Sequence, residues 1–84
     1  MKRKSEKIFE DLRYRVSLNV CKFRAAQRLT LVQLGAASGL HWRHVQKIEA
    51  GKGNVTLVTI ARLASGLEVD PHELIATTPY GSTL

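Results

Sequence analysis

The sequence predicts an all-α protein of five helices in one small domain. Three observations carry that prediction. Apolar residues recur three or four positions apart along most of the chain, the spacing that lines one face of a helix. Three motifs have the composition of helix N-termini: Thr30-Leu31-Val32-Gln33, Thr56-Leu57 and Asp70-Pro71-His72-Glu73. No segment reads as a defensible strand.

The first helix is expected over residues 8–27. Ile8, Leu12, Val16, Val20, Phe23 and Ala26 repeat at helical spacing with no proline or glycine among them. Val16, Leu18 and Val20 also alternate, as a strand would. The charged neighbours and the longer period favour helix, with a candidate break near Ser17–Asn19. Thr30 and Gln33 form a capping box that opens a second helix through Leu31, Leu34 and Ala37, stopped at Gly39. A turn at Gly39–His41 leads to a third helix over 41–50. After the loop Gly51-Lys52-Gly53-Asn54, Thr56 caps a fourth helix holding Leu57, Ile60, Leu63 and Ala64 and closed by Gly66. Asp70 as N-cap with Pro71 at the first position opens a fifth, carrying Leu74 and Ile75. The expected organisation is a basic flexible arm (1–7), a folded domain (8–76) and a flexible tail (77–84).

Composition narrows the function classes. The 84 residues suffice for one modest core. No stretch approaches the roughly 20 apolar residues that cross a bilayer, and the basic N-terminus is followed by charged residues rather than an apolar signal core. The expected location is therefore the cytoplasm, with no membrane partner. The single cysteine, Cys21, has no internal disulfide partner and is expected as a small buried hydrophobe. Thirteen Lys+Arg against seven Asp+Glu give a net charge of +6. That excess falls entirely within residues 1–28, where Lys2, Arg3, Lys4, Lys7, Arg13, Arg15, Lys22, Arg24 and Arg28 face only Glu6, Glu10 and Asp11. A polyanion would be drawn to such an end, although a basic helix is also an ordinary solvated surface.

Two short helices joined through a glycine turn are the helix-turn-helix arrangement. It requires a second helix with one face packed on the core and one free for the major groove. At about 100° per residue, Val45 and Ile48 project together, while Trp42, Arg43, Gln46 and Lys47 fall on nearly the opposite side. The outward set can donate hydrogen bonds to base edges and phosphates.

On these residues the chain resembles the XRE family of helix-turn-helix regulators, the lambda-repressor and Cro-like type. The matching residues are Arg24, Leu29-Thr30, Leu34, Gly39, Val45, Ile48-Glu49-Ala50-Gly51, Ala61, Leu67 and Val69, and no gap is needed from Arg24 to Gly51. The resemblance implies a five-helix lambda-repressor-like DNA-binding domain. It implies base contacts from Trp42, Arg43 and Lys47, with backbone contacts near Leu31 and His41 and from His44, Gln46, Lys52 and Asn54. It further implies a structural ion pair between Arg24 and Glu49. The chain departs from the family pattern in having Leu31 in place of Gln, Gly35 in place of Ala, Arg28 in place of Gly, and His41 in place of a Ser or Thr cap.

Competing readings stand beside these. Trp42 either stacks on sugar or a thymine methyl, or anchors a protein partner. His41 and His44 sit three apart as zinc ligands can, but no nearby Cys, Asp or Glu completes a set, so no metal is expected. No nucleophile–base pair, phosphate-binding glycine loop or carboxylate dyad is evident, so neither an enzyme nor a cofactor is expected. The expected function is a sequence-specific transcriptional regulator of bacterial or phage type. It would be nucleoid-associated and would bind double-stranded DNA as a homodimer on a symmetric operator. The alternative is an antitoxin or adaptor whose main task is binding a partner protein. The dimer interface is expected at Leu67, Val69, Leu74 and Ile75, where Glu68, Asp70 and Glu73 repel phosphate and where related regulators tend to pair. The competing surface is residues 1–16, with Ile8, Phe9 and Leu12.

Overall fold

A computed structural model describes residues 3–77. They form five helices: α1 (Lys4–Ala26), α2 (Leu31–Ser38), α3 (Trp42–Glu49), α4 (Leu57–Leu67) and α5 (Pro71–Leu74). Among the described residues there is no strand, and no helix is long and apolar enough to cross a membrane. The core joins Val16 and Val20 of α1, Leu34 of α2, Val45 and Ile48 of α3, Leu63, Ala64 and Leu67 of α4, and Leu74 of α5. Every helix thus contributes at least one buried apolar side chain, which short helices need because they are not stable alone.

Helix α1 is longer than the sequence suggests. It starts at Lys4 rather than Ile8, so the expected arm is helical from that residue; residues 1–2 and 78–84 lie outside the described chain. Nothing in Lys4–Lys7 breaks a helix, and Glu6 in the first turn complements the positive end of the helix dipole. The candidate break near Ser17–Asn19 does not occur. Ser17 and Asn19 disrupt helices when their side chains compete for local backbone groups. Here the Ser17 hydroxyl donates back to the Tyr14 carbonyl at 2.8 Å, within the helix. The Asn19 amide is spent at long range on the carbonyls of Leu74 (3.1 Å) and Ala76 (3.0 Å).

A polar stripe on α1 ties down the C-terminal end of the fold. Asp11, Arg15 and Asn19 are spaced four apart and so share one face. Asp11 is fully buried and pairs with Arg15 at 2.7 Å, while Arg15 reaches the Ile75 carbonyl at 3.4 Å. With the Asn19 bonds, α1 ties down α5, which also packs on α4 and sends Leu74 into the core. Only four residues long, α5 has little helical stability of its own.

Four further expectations are corrected. Cys21 is exposed, because Val20 and Arg24 occupy the inward face and Cys21 is turned about 100° from its neighbour. Ile8, Leu12 and Ala26 are exposed rather than core, although Asp11 beside Leu12 is fully buried. Gly66 does not close α4: the helix runs through Leu67, and Glu68 adopts the left-handed conformation at φ +57°. A Cβ at Gly66 would lie 3.1 Å from the Ser38 backbone nitrogen, so the glycine is there to let α2 pass close by. Finally, Leu67 and Leu74 are completely buried in the chain's own core and Val69 packs against it. Of the four residues expected at a dimer interface, only Ile75 is exposed.

Candidate nucleic-acid interface

The interface is built outward from the α2–α3 turn. Thr30 accepts from the Gln33 amide at 3.0 Å and Gln33 returns an acceptor to the Thr30 amide at 2.8 Å, completing the capping box. Helix α2 ends at Gly39 in the left-handed region, φ +69°. The Leu40 amide then folds back onto the Gly35 carbonyl at 2.8 Å. The turn is very tight against α2: a Cβ on Gly35 would sit 2.6 Å from the Leu40 carbonyl oxygen and 3.2 Å from the Trp42 nitrogen. That contact explains why glycine replaces the alanine of the resemblance. From α4, Arg62 donates to the Gly39 carbonyl at 2.9 Å and braces the turn from outside.

His41 caps α3 in place of the expected hydroxyl. Its Nδ1 accepts from the Arg43 amide at 3.1 Å. An accepting Nδ1 leaves Nε2–H as the free donor of the neutral ring, and the ring is exposed. The inward side of α3 is Val45 and Ile48, both essentially without solvent contact. On the outward side Arg43, Gln46 and Lys47 are exposed and Trp42 and His44 half-buried. The Trp42 ring stacks on His41 with centroids 5.8 Å apart, and the Arg43 guanidinium lies 5.4 Å over that same ring. An arginine stacked on an aromatic face has lost part of its rotamer freedom before it meets a ligand. Its planar fork of donors is therefore partly pre-set to address a guanine edge or a phosphate.

The remaining predicted residues are distributed around this helix. Lys52 and Asn54 are exposed in the loop that follows α3, with Gly51 and Gly53 at φ +73° and +79°. The Leu31 side chain is half-buried against the core. Only its backbone amide, at the positive end of α2, is suited to a phosphate. Arg24 and Glu49 form the expected ion pair in bidentate form: Nε to Oε2 at 2.6 Å and Nη2 to Oε1 at 2.9 Å. Arg24 also donates to the Leu29 carbonyl at 2.9 Å, so one side chain links α1, the loop before α2 and the end of α3. The hydrogen bonds that Arg24 donates to Glu49 hold its pKa above its ordinary value, against a smaller opposing effect of burial. Among the described residues no group of three or more His, Cys, Asp or Glu stands together, and His41 and His44 remain an isolated pair.

Three supporting residues escape sequence reading: Asp11, Arg62 and Asn19. All resemble surface polar residues, and the partners of Arg62 and Asn19 are 23 and at least 55 positions away. The four-residue spacing of Asp11, Arg15 and Asn19 is the one local hint of a shared polar face.

A family model described as helix-turn-helix matches residues 22–74 of the chain. This chain is an XRE-type helix-turn-helix protein. It is 32% identical over 75 residues to the HTH-type transcriptional regulator y4dJ of Sinorhizobium fredii, an alignment covering 86% of this chain and 97% of that one. It is 33% identical over 67 residues to the control protein C.SmaI of Serratia marcescens, covering 80% of each. Among solved structures it is similar to the restriction-modification controller protein C.AhdI of Aeromonas hydrophila. That match has a TM-score of 0.71 and 34% identity, and covers 74% of this chain and 94% of that one. In this helix-turn-helix protein the family match begins at Lys22, inside α1, so residues Lys4–Cys21 lie outside it.

Proposed function

We propose that this helix-turn-helix protein is a sequence-specific transcriptional regulator that binds double-stranded DNA as a homodimer on a two-fold symmetric operator. The observation that carries the reading is the division of α3. Val45 and Ile48 seal one face into the core, while Arg43, Gln46 and Lys47 stand free on the other, with Arg43 already stacked on Trp42. Arg43 and Lys47 read bases, with Trp42 holding the Arg43 plane. His41, His44, Gln46, Lys52, Asn54 and the amide end of α2 near Leu31 position the backbone. One module of this size buries limited DNA surface, so two half-sites one helical turn apart, about 34 Å, supply the affinity. Similarity to C.SmaI and C.AhdI supports a controller role beside a restriction–modification locus over the antitoxin or adaptor alternative.

Selection of bound sites from random duplex DNA with the purified protein tests the proposal. The expected outcome is an inverted repeat whose half-sites are spaced by one turn. Failure to enrich any sequence, with binding that depends only on salt, would refute sequence-specific regulation.

A further inference from the structure

The stacking of Trp42 and Arg43 constrains what the N-terminal end of α3 can read. They are the first two residues of that helix, the end from which a recognition helix touches base edges. The Arg43 guanidinium carbon lies over the Trp42 ring, 5.4 Å from its centroid, and the His41 ring stacks on the same indole at 5.8 Å. The tryptophan is half-buried. A tryptophan that anchors a protein partner is enclosed in a pocket of that partner. A ring already sharing its surface with His41 and Arg43 is poorly placed for that, and well placed as a fixed part of the reading face.

We infer that Trp42 and Arg43 act as one reader of two neighbouring bases: a guanine, and the 5-methyl group of the pyrimidine beside it. The inference rests on the base-reading role proposed above for Arg43 and adds the adjoining base. A guanidinium that takes guanine O6 and N7 bidentately lies close to the plane of that base pair. A ring stacked on the guanidinium is then displaced along the duplex axis, by about the 3.4 Å rise between successive pairs. Trp42 therefore stands at the level of an adjacent base pair, against its major-groove edge. The 5.4 Å from guanidinium carbon to ring centroid spans that rise together with a sideways offset.

The chemistry of that edge selects what the indole meets. Bases present hydrogen-bond donors and acceptors to the major groove, and the one apolar group there is the C5-methyl of thymine. On 5-methylcytosine the same methyl occupies the same place. Trp42 is the one outward residue of α3 with a large apolar surface, since Arg43, His44, Gln46 and Lys47 are polar or charged. Against uracil or cytosine the indole finds a C–H in place of the methyl. The burial of one carbon is then lost, about fourfold in affinity for each half-site changed.

Modified duplexes test the inference on the wild-type chain, with no risk to its fold. A site is first selected from random duplex DNA, and Arg43→Ala locates the guanine as the position whose preference is lost. The pyrimidine beside it is then set in turn to thymine, uracil, cytosine and 5-methylcytosine, and affinity is measured at one salt concentration. Thymine should bind about fourfold more tightly than uracil, and 5-methylcytosine about fourfold more tightly than cytosine, for each half-site changed. Direct comparison of thymine with 5-methylcytosine tells which source of the methyl the site prefers. Trp42→Ala, its melt checked against wild type, should bring both ratios to about one while keeping the preference for guanine. Thymine and uracil bound equally, and cytosine and 5-methylcytosine bound equally, would overturn the methyl reading and spare sequence-specific binding. So would a selected site with no guanine under the control of Arg43. Ratios that survive in Trp42→Ala would overturn the part assigned to Trp42. Failure to select any site would overturn the base-reading role and this inference with it.

Discussion

Removal of Glu49 isolates what the α1–α3 ion pair contributes. Glu49→Ala deletes two bonds of 2.6 and 2.9 Å and leaves the Arg24 guanidinium its bond to the Leu29 carbonyl and a weaker interaction with Cys21. Side-chain exposure is 23% for Arg24 and 11% for Glu49, so the pair is mostly, not wholly, withdrawn from water. Breaking a fully buried pair costs about 3–5 kcal/mol, and an exposed one about 0.2–1 kcal/mol. With one of the three Arg24 bonds surviving and some solvent access, the expected loss is about 2 kcal/mol. For a domain of this length that lowers Tm by about 10 °C. Glu49→Gln keeps the shape and one acceptor and should lose about half as much. Circular dichroism melts measure the stability, and DNA titration well below both midpoints measures function, where affinity should match wild type. A Glu49→Ala melt within about 2 °C of wild type, the range of an ordinary surface change, would refute the structural role. Weakened DNA binding by a fully folded variant would move Glu49 into the interface.

Other perturbations probe separate links. Arg43→Ala should weaken binding to a selected site by about 1–3 kcal/mol and relax preference at one base pair per half-site; equal losses on random DNA would make Arg43 a phosphate contact. Lys52→Ala should weaken all sequences alike and reduce the salt slope by about 1, as read by binding across a salt series. Gly66→Ala should destabilise by about 1–3 kcal/mol in denaturant titration, because α2 backbone stands in the way of the new methyl group. Arg28→Gly should stabilise by up to about 1 kcal/mol, since Arg28 is held at φ +56° where a side chain is strained.

What could be read from the sequence was whatever is encoded locally. The caps at Thr30, Thr56 and Asp70 act on amides two or three residues away, and each is found where its neighbours placed it. The two faces of α3 follow from helical spacing alone, and so did the inward positions of Val45 and Ile48. Long-range partners left no such trace. Asp11 looked like a surface acid because its burial depends on how the rest of the fold closes over α1. Leu67 and Leu74 looked like interface residues because helical spacing cannot distinguish a core shared within one chain from one shared between two. Gly66 looked like a helix stop, since the approach of α2 that requires it comes from 28 positions earlier in the chain. His41 was missed as a cap because its imidazole accepts only in one tautomer, a choice the sequence does not record.

The tight α2–α3 turn bears on how this protein can change over evolution. Its angle is set by main chain against main chain at Gly35 and by Arg62 on the Gly39 carbonyl, and α3 is locked to the core through Val45 and Ile48. None of those contacts involves Arg43, Gln46 or Lys47. The outward positions are thus free to drift or be exchanged while the frame that aims them stays put. Under the function proposed above, new operator preferences can arise from substitutions at Arg43 and Lys47, with little penalty in folding. The same separation makes the chain a ready scaffold for grafting the reading face of a related regulator.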